Sequence, residues 1–311
     1  MFFDQLQEIL PIILFRIPYP TLADGSLIWN TGDQGFAIYT YGVLIAIGIG
    51  LGAFISGREI ERRGYSSDDF YNGLLIAVIS GYIFARLGYV VQDNLANGTQ
   101  YNGVLEVFNF RAGGVNIMWG FVGAFLLTFW WARRQNLSVW DYADVAGLTI
   151  LLAQGIGRWG NFVNQELYGP PTGSETWGLL INNPIAEYAS LPVGTRFHPT
   201  FFYESIALLL GFVILMVYFR RYRDNLIPGL GFGFFMLWWG GNRAWIELFR
   251  PDQPNIGNSP LTWSMLVAIG VALAGLYVIL LVTGRIPGRD ASISSAQSRK
   301  RRVYKPARKR D

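Results

Sequence analysis

Seven apolar runs separated by short polar connections account for most of the chain: 37–56, 69–92, 114–132, 140–163, 200–219, 228–248 and 261–283. Each is long enough to cross a hydrocarbon core of about 30 Å as a helix. Lipid offers no hydrogen-bond partners, so a spanning run must satisfy its backbone internally, as a helix does. The pattern therefore predicts an all-α polytopic membrane protein with about seven transmembrane helices. Trp130, Trp131, Trp140 and Tyr218 fall near predicted span ends, where amphipathic rings favour the membrane interface. Glycines recur inside the runs and predict close helix contacts. No internal repeat is evident, unlike many inverted-repeat transporters.

The stretches between the runs divide the chain. Residues 1–36 are predicted to be an extracytoplasmic N-terminal arm. Pro11, Pro18 and Pro20 make this arm a poor spanning helix, and MFFDQLQEIL lacks the basic start of a cleaved signal peptide. The arm is therefore expected to be retained. Residues 37–283 form the predicted membrane domain. Within it the connection at 164–199, punctuated by Pro170, Pro171, Gly173 and Pro184, is too long for a turn. It predicts a small extracytoplasmic cap. Residues 284–311, ending in SRKRRVYKPARKRD, read as a disordered basic cytoplasmic tail. Such a tail either anchors the topology or lies on anionic headgroups.

Charge sets the orientation. Arg58, Arg62, Arg63, Arg133, Arg134, Arg220, Arg221, Arg223 and ten basic tail residues lie on one side, against Arg16, Arg111, Arg196 and Arg250 on the other. A bias of 18 to 4 places the N-terminus outside and the C-terminus in the cytoplasm. Charged residues make up only 15% of the chain, well below the roughly 25% of soluble domains. With no cysteine and a single histidine, His198, the chain has no disulfide, no thiolate nucleophile and no multi-histidine metal centre. No cofactor, metal or nucleic-acid partner is expected.

Three of the 25 basic residues lie in neither loop nor tail: Arg86, Arg158 and Arg243. A charge at membrane depth costs a few kcal/mol on insertion scales and marks function more often than stability. Each lies on a polar stripe at helical spacing: Tyr82, Arg86 and Tyr89; Gln154, Arg158 and Asn161, with Asn164 and Glu166 beyond; Arg243 and Glu247, with Arg250 following. These faces are expected to turn toward one another or toward water. All three arginines fall toward the outward ends of their helices, which places a site in the outer half of the membrane. A guanidinium fork matches phosphate, and a phospholipid headgroup is the nearest abundant phosphate. The structural alternatives are an Arg86 that snorkels or pairs with a carbonyl, and an Arg243–Glu247 ion pair that merely braces the fold.

The run Gly157–Gly169, GRWGNFVNQELYG, resembles the signature of bacterial phosphatidylglycerol–prolipoprotein diacylglyceryl transferases. Further segments resemble that family in order: YTYGVLIAIG around Tyr41, ARLGYV around Arg86, RAGG at 111–114, HPTFFYE at 198–204 and GGNRAWIELFRPDQ at 240–253. The resemblance spans about 35–275. It implies transfer of the diacylglyceryl group of phosphatidylglycerol to the lipobox cysteine of a prolipoprotein, with glycerol 1-phosphate leaving. It also implies a multi-pass protein of the bacterial cytoplasmic (inner) membrane, whose partners are phosphatidylglycerol, the prolipoprotein lipobox and membrane lipids. Arg158 and Arg243 become the expected phosphate clamp, with Arg86 a further headgroup contact. Asn161 and Tyr41 orient the headgroup or the thiol. Glu166 and Glu247 position the arginines or act on protons, and Gly169 permits close backbone approach.

Two positions depart from the family pattern. Met118 stands where the family carries a histidine, and Trp239 where it carries a tyrosine. Methionine takes up no proton usefully, and an indole only donates. The base then comes from His198, Glu166, Glu247 or water, or the chain is a divergent paralogue with altered activity. His198 precedes Pro199 at a helix start, where a capping or structural role is expected before a catalytic one. A lipobox thiol has a pKa near ~8.5, so neighbouring arginines give appreciable thiolate without a dedicated base. The reading from a different class is a non-catalytic lipid-binding or lipid-translocating protein using the same arginines.

Overall fold

The computed structural model describes residues 2–17, 36–99, 101, 103–108, 114–250, 256–257, 259 and 261–286. Arg111–Gly113 of the RAGG segment, Pro18 and Pro20 of the arm, and the tail from 287 onward lie outside the described residues. The chain resolves into two units: residues 1–55 with 144–289, and residues 56–143.

Every predicted run is a helix, because long apolar stretches with few breakers leave the backbone no other way to close its hydrogen bonds in lipid. After a short α1 (Phe2–Ile9) come α2 (Thr40–Arg62), α3 (Ser67–Asn97), a single-turn α4 (Val104–Val107), α5 (Ile117–Arg134), α6 (Val139–Asn164), α7 (Thr200–Arg221), α8 (Leu230–Glu247) and α9 (Trp263–Val282). By length and composition alone α2, α3, α7 and α9 can cross a membrane. The other long helices, α5, α6 and α8, are diluted by Trp, Gly and polar or charged residues. The protein is an all-α polytopic membrane protein.

In the first unit, α7 packs on α8 and α8 on α9. Glycine makes the last contact possible: a Cβ at Gly240 would sit 2.5 Å from Ala268 O, so any side chain would force the helices apart. The core between α6, α7 and α8 holds Leu148, Leu151, Leu208, Leu215, Phe219 and Phe235. Buried Asp144 of α6 accepts from the backbone N–H groups of Gly229 and Phe232 at 3.1 and 2.8 Å, so α8 is capped by a neighbouring helix.

The ends of this unit hold its small amount of sheet, which periodicity did not reveal. Ile13–Ile17 (β1) pairs antiparallel with Phe36–Tyr39 (β2), inside the stretch expected to be an arm. Within 164–199, Leu179–Leu180 (β3) pairs with Arg196–Phe197 (β4) over a core of Phe162, Tyr168, Leu179, Phe197 and Phe201. Phe3 of α1 inserts into that core, and the Arg196 guanidinium donates to both Asp4 carboxylate oxygens at 3.0 and 2.9 Å. This bidentate bond holds the Asp4 carboxyl down at about 2.

In the second unit α3 packs on α5. The Ser66 hydroxyl caps the N-terminus of α3, and Gly98, at φ 70°, ends it with a left-handed turn. Buried Arg63 lies 3.8 Å from Glu59 and 3.6 Å from Asp141, and Asp141 also accepts from the Tyr65 and Ser138 hydroxyls.

Candidate functional site

The site grows from the end of α6. The helix stops at Asn164, and Gln165 and Leu167 take left-handed conformations at φ 54° and 56°. Such φ values are uncommon for non-glycine residues and are associated with functional sites. They fold the chain back so that the Glu166 N–H reaches Asn161 O at 3.0 Å. The Glu166 carboxylate then accepts from the Asn161 and Asn164 side-chain amides at 2.9 and 3.2 Å. Asn161 in turn accepts from Arg158 Nη1 at 3.4 Å.

The far side of Arg158 is held from α7. Arg158 Nη2 sits 2.6 Å from Glu204 Oε1. The adjacent Ser205 hydroxyl donates to Gly155 O, about one turn before Arg158 on α6, at 2.7 Å and fixes α7 against α6. On α8, Arg243 Nη2 lies 2.8 Å from Glu247 Oε2 and donates to Ser264 Oγ on α9 at 3.2 Å. The Thr262 hydroxyl donates to the other Glu247 oxygen at 3.0 Å. The two clusters are near each other, since the charges of Glu204, Glu247, Arg158 and Arg250 all act on Arg243. Tyr41 joins them from α2: its ring lies against Gly160, where any side chain would displace it, and its hydroxyl feels Glu166 and Arg158.

The exposures are asymmetric. The Glu204 and Glu247 side chains are 6% and 0% exposed, while those of Arg158 and Arg243 are 21% and 15%. The acids form the floor and the guanidiniums the open face. A guanidinium has five N–H donors. The contacts above engage two nitrogens of Arg158 and one of Arg243, so donors remain for an oxyanion. Among the described residues, with Glu166 and Arg250 included, three cations stand with three carboxylates.

Four sequence expectations look different in place. Arg86 is only 2% exposed and donates to the carbonyls of Val107, Gly114 and Glu106 at 2.7, 2.9 and 3.4 Å. These bonds to the segment around α4 match the carbonyl-pairing alternative. The close approach at Gly169 is to protein: a Cβ there would meet His198 Cβ at 2.9 Å and Phe249 O at 3.0 Å. His198 is structural in its contacts, with Nδ1 3.0 Å from the Tyr203 hydroxyl and its backbone N–H and C=O bonded to Pro170 and Gly169. Met118 lies exposed in the first turn of α5, whose N–H groups are capped by Asn116, and supplies no proton acceptor.

Sequence reading missed Glu204. Its signal was a carboxylate in the first turn and a half of an otherwise apolar helix, but its partner lies 46 residues away on another helix. Trp239, the other departure, donates its indole N–H to Gln154 on α6 at 2.7 Å.

Long helices carrying paired arginines and carboxylates on facing sides define an integral membrane protein with a charged site among its helices. A family profile described as prolipoprotein diacylglyceryl transferase matches residues 29–281. The chain belongs to that family. It is 36% identical over 249 residues to the phosphatidylglycerol–prolipoprotein diacylglyceryl transferase of Bacillus mycoides (strain KBAB4), covering 79% of this chain and 88% of that protein. It is 37% identical over 247 residues to the protein of the same name from Halalkalibacterium halodurans, covering 78% and 83%. A Bacillus cereus (strain G9842) relative of that name is 34% identical over 254 residues, covering 79% and 88%.

Proposed function

We propose that this chain transfers the diacylglyceryl group of phosphatidylglycerol to the cysteine sulfur of a prolipoprotein lipobox. The carrying observation is the pair of acid-backed, partly open guanidiniums of Arg158 and Arg243 on neighbouring helices. The lipobox thiolate attacks the glyceryl carbon that bears the phosphate. A carbon–sulfur bond forms, the carbon–oxygen bond breaks, and glycerol 1-phosphate leaves with the electron pair. Charge builds on the departing phosphate, and two fixed guanidiniums stabilise it without reorganisation.

Arg158 and Arg243 bind the phosphate. Asn161 holds Arg158 in register, and Tyr41 orients the headgroup or thiol. Exposed Glu166, presented by two amides, accepts the thiol proton, whereas buried Glu247 positions Arg243. Arg86 shapes the loop around α4, and Gly169 seats the cap against α7. The protein works in the outer half of the bacterial cytoplasmic membrane, with residues 1–36 and 164–199 outside and the basic tail in the cytoplasm. The 18-to-4 charge bias supports that orientation.

The test is a transfer assay in phosphatidylglycerol nanodiscs with a lipobox peptide, read by the mass added to cysteine. Wild-type protein is expected to form the thioether. Arg158→Ala and Arg243→Ala are each expected to lower the rate by about 10²–10³, the scale of losing a fixed oxyanion donor. Failure of the wild type where a histidine-containing relative succeeds would discard this reading. Full rates in both variants would discard the clamp.

A further inference from the structure

Asn242 lies beside Arg243 on α8 and is 9% exposed. Among the described residues neither its Nδ2 nor its Oδ1 has a hydrogen-bond partner. A buried carboxamide is ordinarily paired, and most strongly so where no bulk water can serve it. The membrane half of a helix is an expensive place for an amide that the fold itself does not use.

Its direction follows from its neighbours. Trp238 donates its indole N–H to Ala207 O on α7 at 2.8 Å, and Trp239 donates to Gln154 on α6 at 2.7 Å. Asn242 lies four residues beyond the first and three beyond the second, so it shares their face and points at the seam between α6 and α7. One turn past those contacts along each neighbour stand Arg158, four after Gln154, and Glu204, three before Ala207. These two bridge the seam at 2.6 Å. The amide is therefore at the level of that bridge, with Arg243 next to it in sequence.

The surrounding donors are charged and suited to phosphate. A neutral carboxamide offers one acceptor and two donors, and its complement is a neutral group that both donates and accepts. A hydroxyl has that character, whereas an ester carbonyl would leave the Asn242 oxygen unmatched. We propose that Asn242 binds the glycerol hydroxyls of the phospholipid headgroup and selects a hydroxylated headgroup over one of equal charge without hydroxyls. This rests on the phosphatidylglycerol reading above and assigns its headgroup selectivity to one residue.

The test compares phosphatidylglycerol with phosphatidylpropanol, which keeps the phosphate and its charge and lacks both hydroxyls. Binding of each lipid to the purified full-length protein is read by thermal shift, and transfer to a lipobox peptide is read in parallel. Wild-type protein is expected to bind phosphatidylglycerol about tenfold more tightly, the scale of about one net hydrogen bond. Asn242→Leu, of similar size, removes the orphan amide. It is expected to keep a cooperative thermal transition and bind both lipids alike, losing phosphatidylglycerol affinity and keeping that for phosphatidylpropanol. Asn242→Ala is a second variant should leucine not fit, with the same expectation. A preference that survives in the folded variants, or that wild-type protein lacks, overturns the proposal. Selective binding lost in the variants, with no transfer by the wild type, would remove the transfer reading and leave this assignment standing.

Discussion

Arg158 is held by two kinds of group at once: an amide on its own helix and a carboxylate on the next. Glu204 is the tighter of these constraints. If Arg158 binds the phosphate as proposed, Glu204 both aims the guanidinium and competes for it. Glu204→Gln keeps the shape and removes the charge. We expect kcat to fall about tenfold while KM for phosphatidylglycerol stays level or drops, because a freed arginine binds the ground state at least as well. Glu204→Asp should recover part of the rate. A variant with unchanged kcat would remove Glu204 from the machinery. The stripe from Gln154 to Glu166 and the Arg243–Glu247 pair were legible in the sequence, since partners three or four apart on one helix declare themselves. Glu204 was not, because its contact crosses helices. Arg86 read like the other two arginines, because nothing in periodicity shows that the loop around α4 turns three carbonyls toward it.

Among elements, the helices were the most legible, and their bounds follow the apolar runs to within a few residues at most ends. The strands were opaque: β3 and β4 are two residues each, and β1 finds its partner about twenty residues along the chain. Nor did the sequence show that α1 is docked onto the cap. That docking depends on Asp4, whose carboxyl is depressed to about 2 by Arg196. A depressed acid stabilises the docked state above its unfolded pKa of roughly 3.9, and the contribution fades as pH falls toward 2. Discounted for partial solvent exposure, the bond contributes about 1 kcal/mol at neutral pH. Asp4→Asn should therefore raise hydrogen exchange of the α1 amides several-fold at pH 7 and change little at pH 2. Equal protection in variant and wild type at pH 7 would show that Phe3 alone holds the helix.

For the whole molecule, charge alone predicts an orientation, because Lys and Arg cluster at alternate connections. The absence of cysteine gives a direct check, since any introduced thiol is the only one. With a membrane-impermeant maleimide, Asn183→Cys should label from outside intact cells. Gln135→Cys should label only after the membrane is opened; the reverse pattern would invert the topology. The division into two units was not legible, since it cuts α2 between Ile55 and Ser56, inside one continuous helix.

The equality of cations and carboxylates in the site has a kinetic meaning. A bare pair of arginines would be an open trap for any passing phosphate or sulfate, and for the released glycerol phosphate as well. Here Arg158 and Arg243 each already have an anion of their own, so an incoming phosphate replaces a partner instead of filling a vacancy. Small free anions gain little by that trade, whereas a lipid brings its acyl chains and headgroup to make it favourable. The same buried acids reclaim their arginines when the phosphate is cut loose from those chains. On the proposed transfer reading, the site is thereby quiet at rest, selective for a phosphate that arrives attached to a membrane lipid, and cleared by the very step that detaches it.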